Sequence, residues 1–347
     1  MGSQKNLRGT FWLFAASCVL MMITSGSAIA DVFNMPAGET SVVLLPVGNA
    51  GNAADASTGF GSVGYNYNID EYDVTAAQYT AFLNAVAATD TYGLYNAFMS
   101  STTGGYGNEA CGISRSGSPG GYTYATMRNT NYPVNFVTWG DAARFCNWLT
   151  NGQPTGAEGN GTTETGSYTL NGATSNAALG AITRNSNADY AIPTENEWYK
   201  AAYYSPITSS YYLYPTQSNS QPSNVLSATG TNNANFIANG VLSDPTNVLT
   251  AVGAFADSPG PYGTYDQGGD LAQWNETIYP GPYRGMRGGA SAGTYTGLQS
   301  GVFSFDAPSS QYPTIGFRVA QVPDPTSIGI LAIGGMAMLS RRRGHRS

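Results

Sequence analysis

The chain has very few of the residues on which much enzyme chemistry depends. Its 347 residues include a single histidine, His345, and three cysteines. A Ser-His-Asp triad needs a histidine inside the folded body, and His345 lies in the basic C-terminal tail, so the triad hydrolases are excluded. The pair Gly268-Gly269 has neither the spacing nor the following lysine of a phosphate-binding loop, which argues against nucleotide phosphates as ligands.

Charged side chains are also scarce. They make up 10% of the chain, and acids outnumber bases to give a formal net charge of −7. A protein that binds nucleic acid through its phosphates carries an excess of Lys and Arg, so nucleic acid is excluded as a partner. An acidic surface suits cation binding or simple solubility outside the cell.

Glycine and aromatic residues are abundant by contrast. There are 44 Gly and 24 Tyr residues, and aromatic residues reach 12% of the chain. That aromatic content is too high for a disordered chain, whereas the glycine content favours loops over long regular elements. The composition is typical of an exported, loop-rich protein.

The N-terminal residues have the pattern of a signal peptide. Basic residues precede the apolar run 11–23, which is too short to span a membrane, and a small-x-small cleavage site follows at residues 28–30. We therefore assign residues 1–30 as a signal peptide. A lipoprotein modified at Cys18 is an alternative, although residues 15–17 lack the leucine usually found there.

The C-terminal residues 322–347 also have the pattern of a sorting signal. Pro-Asp-Pro at 323–325 precedes the apolar run 328–339 and the three arginines 341–343, which would stay cytoplasmic. This order resembles the bacterial PEP-type C-terminal sorting signal, with Asp324 where Glu is usual. The resemblance implies an exosortase-type transpeptidase as a partner and a protein that is exported to the cell surface or beyond, attached to the membrane transiently and only through this segment. A plain tail anchor is the alternative.

Between these signals, three capping boxes mark the starts of three helices. They are Thr75 with Gln78, Thr138 with Asp141, and Thr194 with Glu197. Alternation over 63–69 predicts a strand, residues 132–137 predict another, and the leader 31–64 contains one strand around its apolar run 42–47.

Long insertions rich in Gly, Ser, Thr and Asn separate the predicted helices, at 92–131 and 150–189. Loops of this length are unusual in a compact domain unless they carry function or are weakly ordered.

The most informative stretch is 262–318. It begins with a glycine-rich acidic loop, YDQGGDLAQW at 265–274, continues with RGG at 287–289 and ends with GFR at 316–318. Side-chain oxygens beside glycines that turn sharply are a common way to build a site for a hard cation such as calcium. The stretch contains no cysteine and no histidine.

These three motifs, in this order, resemble the formylglycine-generating enzyme (sulfatase-modifying factor) family. The upstream segments YDVTAAQY at 72–79, residues 133–149 and IPTENEW at 192–198 match the same pattern. The resemblance implies one α+β domain over residues 65–321 with a C-type-lectin-like core, short helices, small antiparallel sheets and many loops.

The resemblance further implies two structural calcium sites. Carried over by position, one comprises Asp266, Gly269, Leu271 and Gln273, and the other comprises Asn235, Phe236, Asp244 and Thr246. Gln273 stands where the family has Glu. The alternative for these loops is a tight Asp-Gly turn whose side chains satisfy their own backbone.

The family enzyme oxidises a cysteine of its substrate and holds copper on a cysteine pair between RGG and GFR. Here residues 290–315 contain no cysteine, so we do not expect copper, which selects thiolates in its Cu(I) state. Iron-dependent relatives use several histidines, which this chain also lacks. Cys146 lies on the apolar face of a predicted helix; Cys111 lies in a loop and is either reactive or disulfide-bonded to Cys146.

Arg287 and Arg318 have two interpretations. Guanidinium groups can bind a ligand carboxylate or peptide, or they can bind backbone carbonyls and fix the core, which is the commoner role. We expect an exported, surface-retained module that binds peptide or glycan, or acts structurally, without the copper oxidase site. The alternative is an active oxidoreductase that acts on a protein cysteine through another site, one that involves Cys111.

Overall fold

A computed structural model describes residues 41–100 and 108–323. The predicted signal peptide, residues 1–30, and residues 324–347 of the predicted sorting signal 322–347 lie outside the described residues. Within the described ranges no helix is both long enough and apolar enough to cross a membrane.

Four short α-helices carry the helical part of the fold. They are α1 (Ala76–Val86), α2 (Trp139–Thr150), α3 (Asn176–Gly180) and α4 (Glu195–Tyr203). The capping boxes at Thr75, Thr138 and Thr194 are all present: at each, the threonine hydroxyl accepts from the third backbone N–H, and the side chain three residues on accepts from the threonine N–H.

The strands are also short. They are β1 (Leu44–Val47), β2 (Tyr67–Asp70), β3 (Ile113–Ser116), β4 (Thr123–Thr126), β5 (Tyr190–Ala191), β6 (Tyr204–Ser205), β7 (Ser210–Tyr211), β8 (Ala272–Tyr279), β9 (Tyr283–Arg287), β10 (Ser304–Asp306), β11 (Ile315–Gly316) and β12 (Ala320–Gln321). The mixed α+β architecture with small, mainly antiparallel sheets confirms the predicted fold class.

Two four-stranded sheets organise the described chain. One has the order β1-β2-β12-β5, with Ile69 of β2 opposite both Leu45 and Ala320. The other has the order β10-β9-β8-β11, in which β11 runs parallel to β8. The hairpin β3-β4 lies in the first inserted loop, and the hairpin β6-β7 directly follows α4.

The segment 31–64 is part of this body as far as it is described. Its predicted strand is β1, which pairs with β2, and Val42 and Val63 are buried.

The predicted strand at 132–137 was wrong. Pro133 forms only an isolated bridge with Thr75, and Phe136 has a positive φ of 58°, which interrupts an extended chain.

The main core lies between α1 and α2. Phe82 of α1 contacts Phe145 and Trp148 of α2, with ring centroids 5.4 Å and 5.3 Å away, and Phe317 of the GFR motif packs on Phe145 at 5.4 Å. The GFR motif therefore joins the second sheet to the helices, which places the glycine-rich loop next to the core.

Candidate functional site around the glycine-rich loop

Gln273 is the centre of a buried polar network. Its Oε1 accepts hydrogen bonds from Trp198 Nε1 and from Arg318 Nε, both at 2.7 Å. Its Nε2 donates to the backbone oxygen of Asp266 at 2.8 Å, and Arg287 is its cross-strand partner on β9. Gln273 thereby links α4, the glycine-rich loop and both predicted arginines.

Arg318 binds backbone carbonyls. Nη1 donates to Asp70 O at 2.9 Å and Nη2 to Tyr265 O at 2.7 Å, while Asp73 Oδ1 lies 3.3 Å from Nη2. The residue has no exposed surface. Arg318 therefore fixes the end of β2 to the loop and cannot reach a ligand without a rearrangement.

Arg287 has the same kind of environment. Its Nε pairs with Glu195, and Nη1 donates to Ser300 O at 2.7 Å and Val302 O at 2.9 Å. The rings of Tyr199 and Phe60 flank its guanidinium at 4.8 Å and 5.0 Å. Both arginines thus bind carbonyls in the structure.

The backbone of the loop turns through left-handed conformations. Asp266, Gly269 and Asp270 have φ of 58°, 86° and 55°. A Cβ on residue 269 would clash with the backbone oxygen of Asn235, and Asp270 N donates to that same oxygen at 3.0 Å. The loop is therefore packed directly against the segment that carries the second predicted calcium set.

In the first predicted calcium set, two side chains already have protein partners. Both hydrogen-bonding ends of the Gln273 amide are engaged, as described above. Asp266 accepts from Gly253 N through Oδ2 at 2.7 Å, and burial raises the pKa of this carboxyl to about 6. Gly269 and Leu271 are buried within the loop.

In the second set, Asp244 forms the predicted tight turn. Its Oδ1 accepts from Thr246 N at 2.8 Å, and its Oδ2 accepts from Asn247 Nδ2 at 3.0 Å. The carbonyl of Phe236 accepts from Asn224 Nδ2 at 3.2 Å. Asn235 differs, because its Oδ1 is buried without a hydrogen-bond partner.

Asp270, which the sequence did not single out, lies beside that amide. It is 1% exposed and accepts from Thr250 Oγ1 at 2.7 Å and from Asn235 Nδ2 at 3.1 Å. Burial, followed by the charge of Asp266, raises the pKa of its carboxyl to about 8. Asn235 and Asp270 offer the kind of oxygen donors that calcium needs, whereas the oxygens of Gln273 and Asp244 accept hydrogen bonds from protein groups. The sequence feature that could have revealed Asp270 is its position directly after the pair Gly268-Gly269.

Cys111 and Cys146 are free thiols in the structure, and both are fully buried in the main core. They therefore do not form the disulfide that the sequence left open. Burial raises the pKa of the Cys111 thiol to about 11, so little reactive thiolate is present at neutral pH.

An exposed aromatic strip crosses β8, β9 and the residues around β10. We define it as Tyr279, Tyr283, Phe303 and Phe305. Tyr279 stacks on Phe303 with centroids 5.5 Å apart and planes 7° apart, and Phe305 contacts both tyrosines. Phe303 and Phe305 are 42% and 50% exposed.

A cavity of about 210 Å³ adjoins the strip, and Arg287 and Phe303 contribute to its lining. The sequence analysis missed the strip. Its signals were the Phe-Ser-Phe alternation at 303–305 and the tyrosines on either side of Pro-Gly-Pro at 280–282.

The fold and the buried network together define an α+β protein of the C-type-lectin-like kind. The family model described as the sulfatase-modifying factor enzyme 1-like domain matches residues 31–323, so the chain belongs to this formylglycine-generating family. No curated protein matches the sequence significantly.

Solved structures are similar to this chain at low sequence identity. Treponema denticola variable protein 1 is 17% identical, with a TM-score of 0.51 over 85% of this chain and 99% of its own. CarF is 20% identical, with a TM-score of 0.48 over 82% and 99% of the two chains. PvdO from Pseudomonas aeruginosa is 17% identical, with a TM-score of 0.44 over 82% and 94%. At these identities the likeness to the first structure supports the fold alone.

Proposed function

We propose that the chain is an exported, surface-retained binding module of this family that does not work as a copper oxidase. The aromatic strip carries the proposal. Contiguous exposed aromatic surface is unusual on a monomer and marks sites that bind another molecule. Ile207, which is 90% exposed, belongs to the β6-β7 connection rather than to the strip, as isolated apolar residues often do.

The chemistry around the strip suits a peptide or a glycan. Aromatic faces bind apolar peptide side chains and the C–H faces of sugars, while the neighbouring cavity of about 210 Å³ offers backbone hydrogen-bonding groups of Gly288, Gly289 and Gly297. Arg287 supports this surface, since it donates to Ser300 O and Val302 O beside Phe303.

A structural calcium ion at Asn235 and Asp270 is part of the proposal. The buried Asn235 oxygen without a donor and the buried Asp270 carboxylate would supply two oxygen ligands. A bound cation would compensate the carboxylate charge and fix the glycine-rich loop. Export through residues 1–30, and retention through residues 322–347 by a sorting transpeptidase, would place the module outside the cell.

The binding test uses the mature domain, residues 31–323, on glycan and peptide arrays. We expect it to bind a defined subset of one array. Replacing Tyr279, Phe303 and Phe305 by serine should abolish this binding, while Ile207→Ser, which also removes an exposed apolar side chain, should preserve it. Equal binding by both variants would show that the strip is not the binding surface.

The oxidase alternative has its own assay. A cysteine-containing sulfatase-motif peptide is incubated with the protein, copper and oxygen, and the product is analysed by mass spectrometry. We expect the cysteine to stay unmodified, because residues 290–315 contain no cysteine and both remaining thiols of the body are buried. Formation of an aldehyde would overturn the proposed function.

A further inference from the structure

A second cavity, lined in part by Leu179 of α3, has about 190 Å³ of space. It lies where α2, α3, the loop after α1 and the loop before β11 meet. Thr138, Asp141 and Arg144 of the α2 region line one wall, and Tyr92, Thr174 and Gln311 line the others. Thr174 is exposed, so the cavity opens to solvent on that side.

The polar side chains in this cavity are held in fixed positions by their neighbours. Arg144 is 1% exposed and donates from Nε and Nη2 to the two carboxylate oxygens of Glu164, at 2.7 Å and 3.2 Å. Asp141 is 2% exposed and accepts from Thr138 N at 2.8 Å. Asn96 Nδ2 donates to Gln311 Oε1 at 2.7 Å. Side chains fixed in this way bind a ligand without a large entropic cost.

Part of this hydrogen-bonding capacity is unused. Among residues 41–100 and 108–323, no hydrogen-bond partner is present for Arg144 Nη1, and Asp141 takes part in no ion pair, although its Oδ2 accepts from Gln311 Nε2 at 3.5 Å. Arg144 Nη1 can donate at this cavity and Asp141 can accept, so the arrangement suits a ligand that both donates and accepts.

Charge narrows the class of ligand. Glu164 already neutralises Arg144 with two hydrogen bonds, so a carboxylate or phosphate ligand would meet Glu164 as a repelling neighbour. A sugar hydroxyl can donate to Asp141 and accept from Arg144 Nη1, while the Gln311 amide, which accepts from Asn96 and donates to Asp141, holds Asp141 in place. The side chain of Leu179 supplies an apolar wall for the C–H groups of the ring.

The volume of the cavity narrows the class of ligand further. At about 30 Å³ per water molecule, 190 Å³ holds roughly six waters. The cavity is smaller than the range of about 300–1,000 Å³ typical of sites for drug-sized ligands. We propose that this cavity binds one pyranose unit of a glycan through Asp141 and Arg144. The proposal rests on the proposed binding function and narrows its ligand class to carbohydrate.

In the experiment, the mature domain is titrated with methyl pyranosides of glucose, mannose, galactose and N-acetylglucosamine. Saturation-transfer NMR measures the binding of each sugar. We expect at least one to bind. Thr174→Trp, which fills the mouth of the cavity, should weaken that binding more than tenfold. Ala177→Trp adds the same bulk at an exposed position of α3 outside the lining and should leave binding unchanged.

A second variant tests the chemistry of the site. Asp141→Asn retains an oxygen for Thr138 N and so preserves the helix cap, but it removes the charged acceptor. We expect pyranoside binding to weaken roughly tenfold, the usual size of one hydrogen bond to a charged group. Unchanged binding in both Thr174→Trp and Asp141→Asn would overturn the proposal.

Two further arms identify the ligand. A disaccharide that contains the bound sugar is titrated beside the methyl pyranoside. Equal affinity of the two would identify the ligand as the terminal sugar of a glycan, whereas failure of the disaccharide to bind would identify it as a free sugar. Either result supports the pyranose site. Binding of Nα-acetyl-lysine amide in place of every pyranoside would overturn it. Array binding that depends on the aromatic strip, without any pyranoside binding, overturns this site and leaves the proposed function standing.

Discussion

Arg318 donates from Nε to Oε1 of Gln273 at 2.7 Å, and neither side chain is exposed to solvent. Their backbones lie 45 residues apart in the chain, one on β8 and the other between β11 and β12. The contact joins the glycine-rich loop to the GFR motif directly through two side chains.

Replacing Gln273 by leucine tests this network. The change leaves Trp198 Nε1 and Arg318 Nε buried without their acceptor, and we expect it to lower the free energy of unfolding by about 2–4 kcal/mol. Urea denaturation measures the loss. Gln221 is exposed, so Gln221→Leu should stay within about 0.5 kcal/mol of the parent. Similar values for the two variants would mean that the network contributes little.

Two glycines with similar backbone angles give a matched pair. Gly59 has φ of 80° and open space around it, whereas Gly269 has φ of 86° and lies against Asn235. We expect Gly59→Ala to cost about 1 kcal/mol from backbone strain alone. Gly269→Ala adds a steric clash and should cost at least about 3 kcal/mol or prevent folding. Comparable thermal stability of the two variants would contradict the close packing of the loop.

The buried thiols predict a simple chemical result. In the folded mature protein, Cys111 and Cys146 should resist alkylation by iodoacetamide for hours, and both should react at once in guanidinium chloride. Intact mass after denaturing alkylation without reductant should show two modified thiols. A product with no modified thiol would instead reveal a disulfide between them.

The buried acids predict that stability falls as pH rises from about 4 to about 8. Burial raises the pKa of Asp70 and of Asp270 to about 8, above the ordinary value of 3.8. In this window the folded state keeps protons that the unfolded chain has released, so the free energy of unfolding decreases with pH. In EDTA the melting temperature should be several degrees higher at pH 5 than at pH 8, given about 2–4 °C per kcal/mol.

Replacing Asp70 by asparagine removes one of the two carboxyl groups that titrate in this pH range. Asp70→Asn should reduce the pH dependence of the melting temperature, while the exposed residue Asp257, changed to Asn, should leave it unaltered. A melting temperature that rises from pH 5 to pH 8 in EDTA would contradict the buried, uncompensated state of these acids.

Calcium should raise the melting temperature, whereas an increase in pH should lower it. A cation needs the ionised form of Asp270, so we expect calcium to raise the melting temperature more at pH 8 than at pH 5. Asp270→Asn should remove the effect, and Asp257→Asn should retain it. Titration calorimetry on the chelated protein that shows no heat, together with an unchanged melting temperature, would exclude a calcium site.

Local features of the fold were predictable from the sequence. The capping boxes at Thr75, Thr138 and Thr194 depend on residues three positions apart, and all three start helices in the structure. The strand expected at 132–137 failed for a local reason, because Phe136 adopts a left-handed conformation that its residue type does not announce.

The site was less predictable because its contacts are distant in sequence. Gln273 was expected to bind a cation, yet its acceptor is filled by Trp198, 75 residues away, and by Arg318. The aromatic strip likewise forms only when β8, β9 and β10 align, so no single segment reveals it.

Strands β1 and β12 flank β2 in the same sheet and run parallel to each other. With neighbouring strands about 4.8 Å apart, the outer two are separated by roughly 10 Å. Because the two strands are parallel, a linker from Gln321 to Leu44 has to cross over β2 and needs about a dozen residues. A chain permuted in this way and opened in an exposed loop of the opposite sheet would keep the pairings of β1, β2 and β12 while both of its ends moved to that loop.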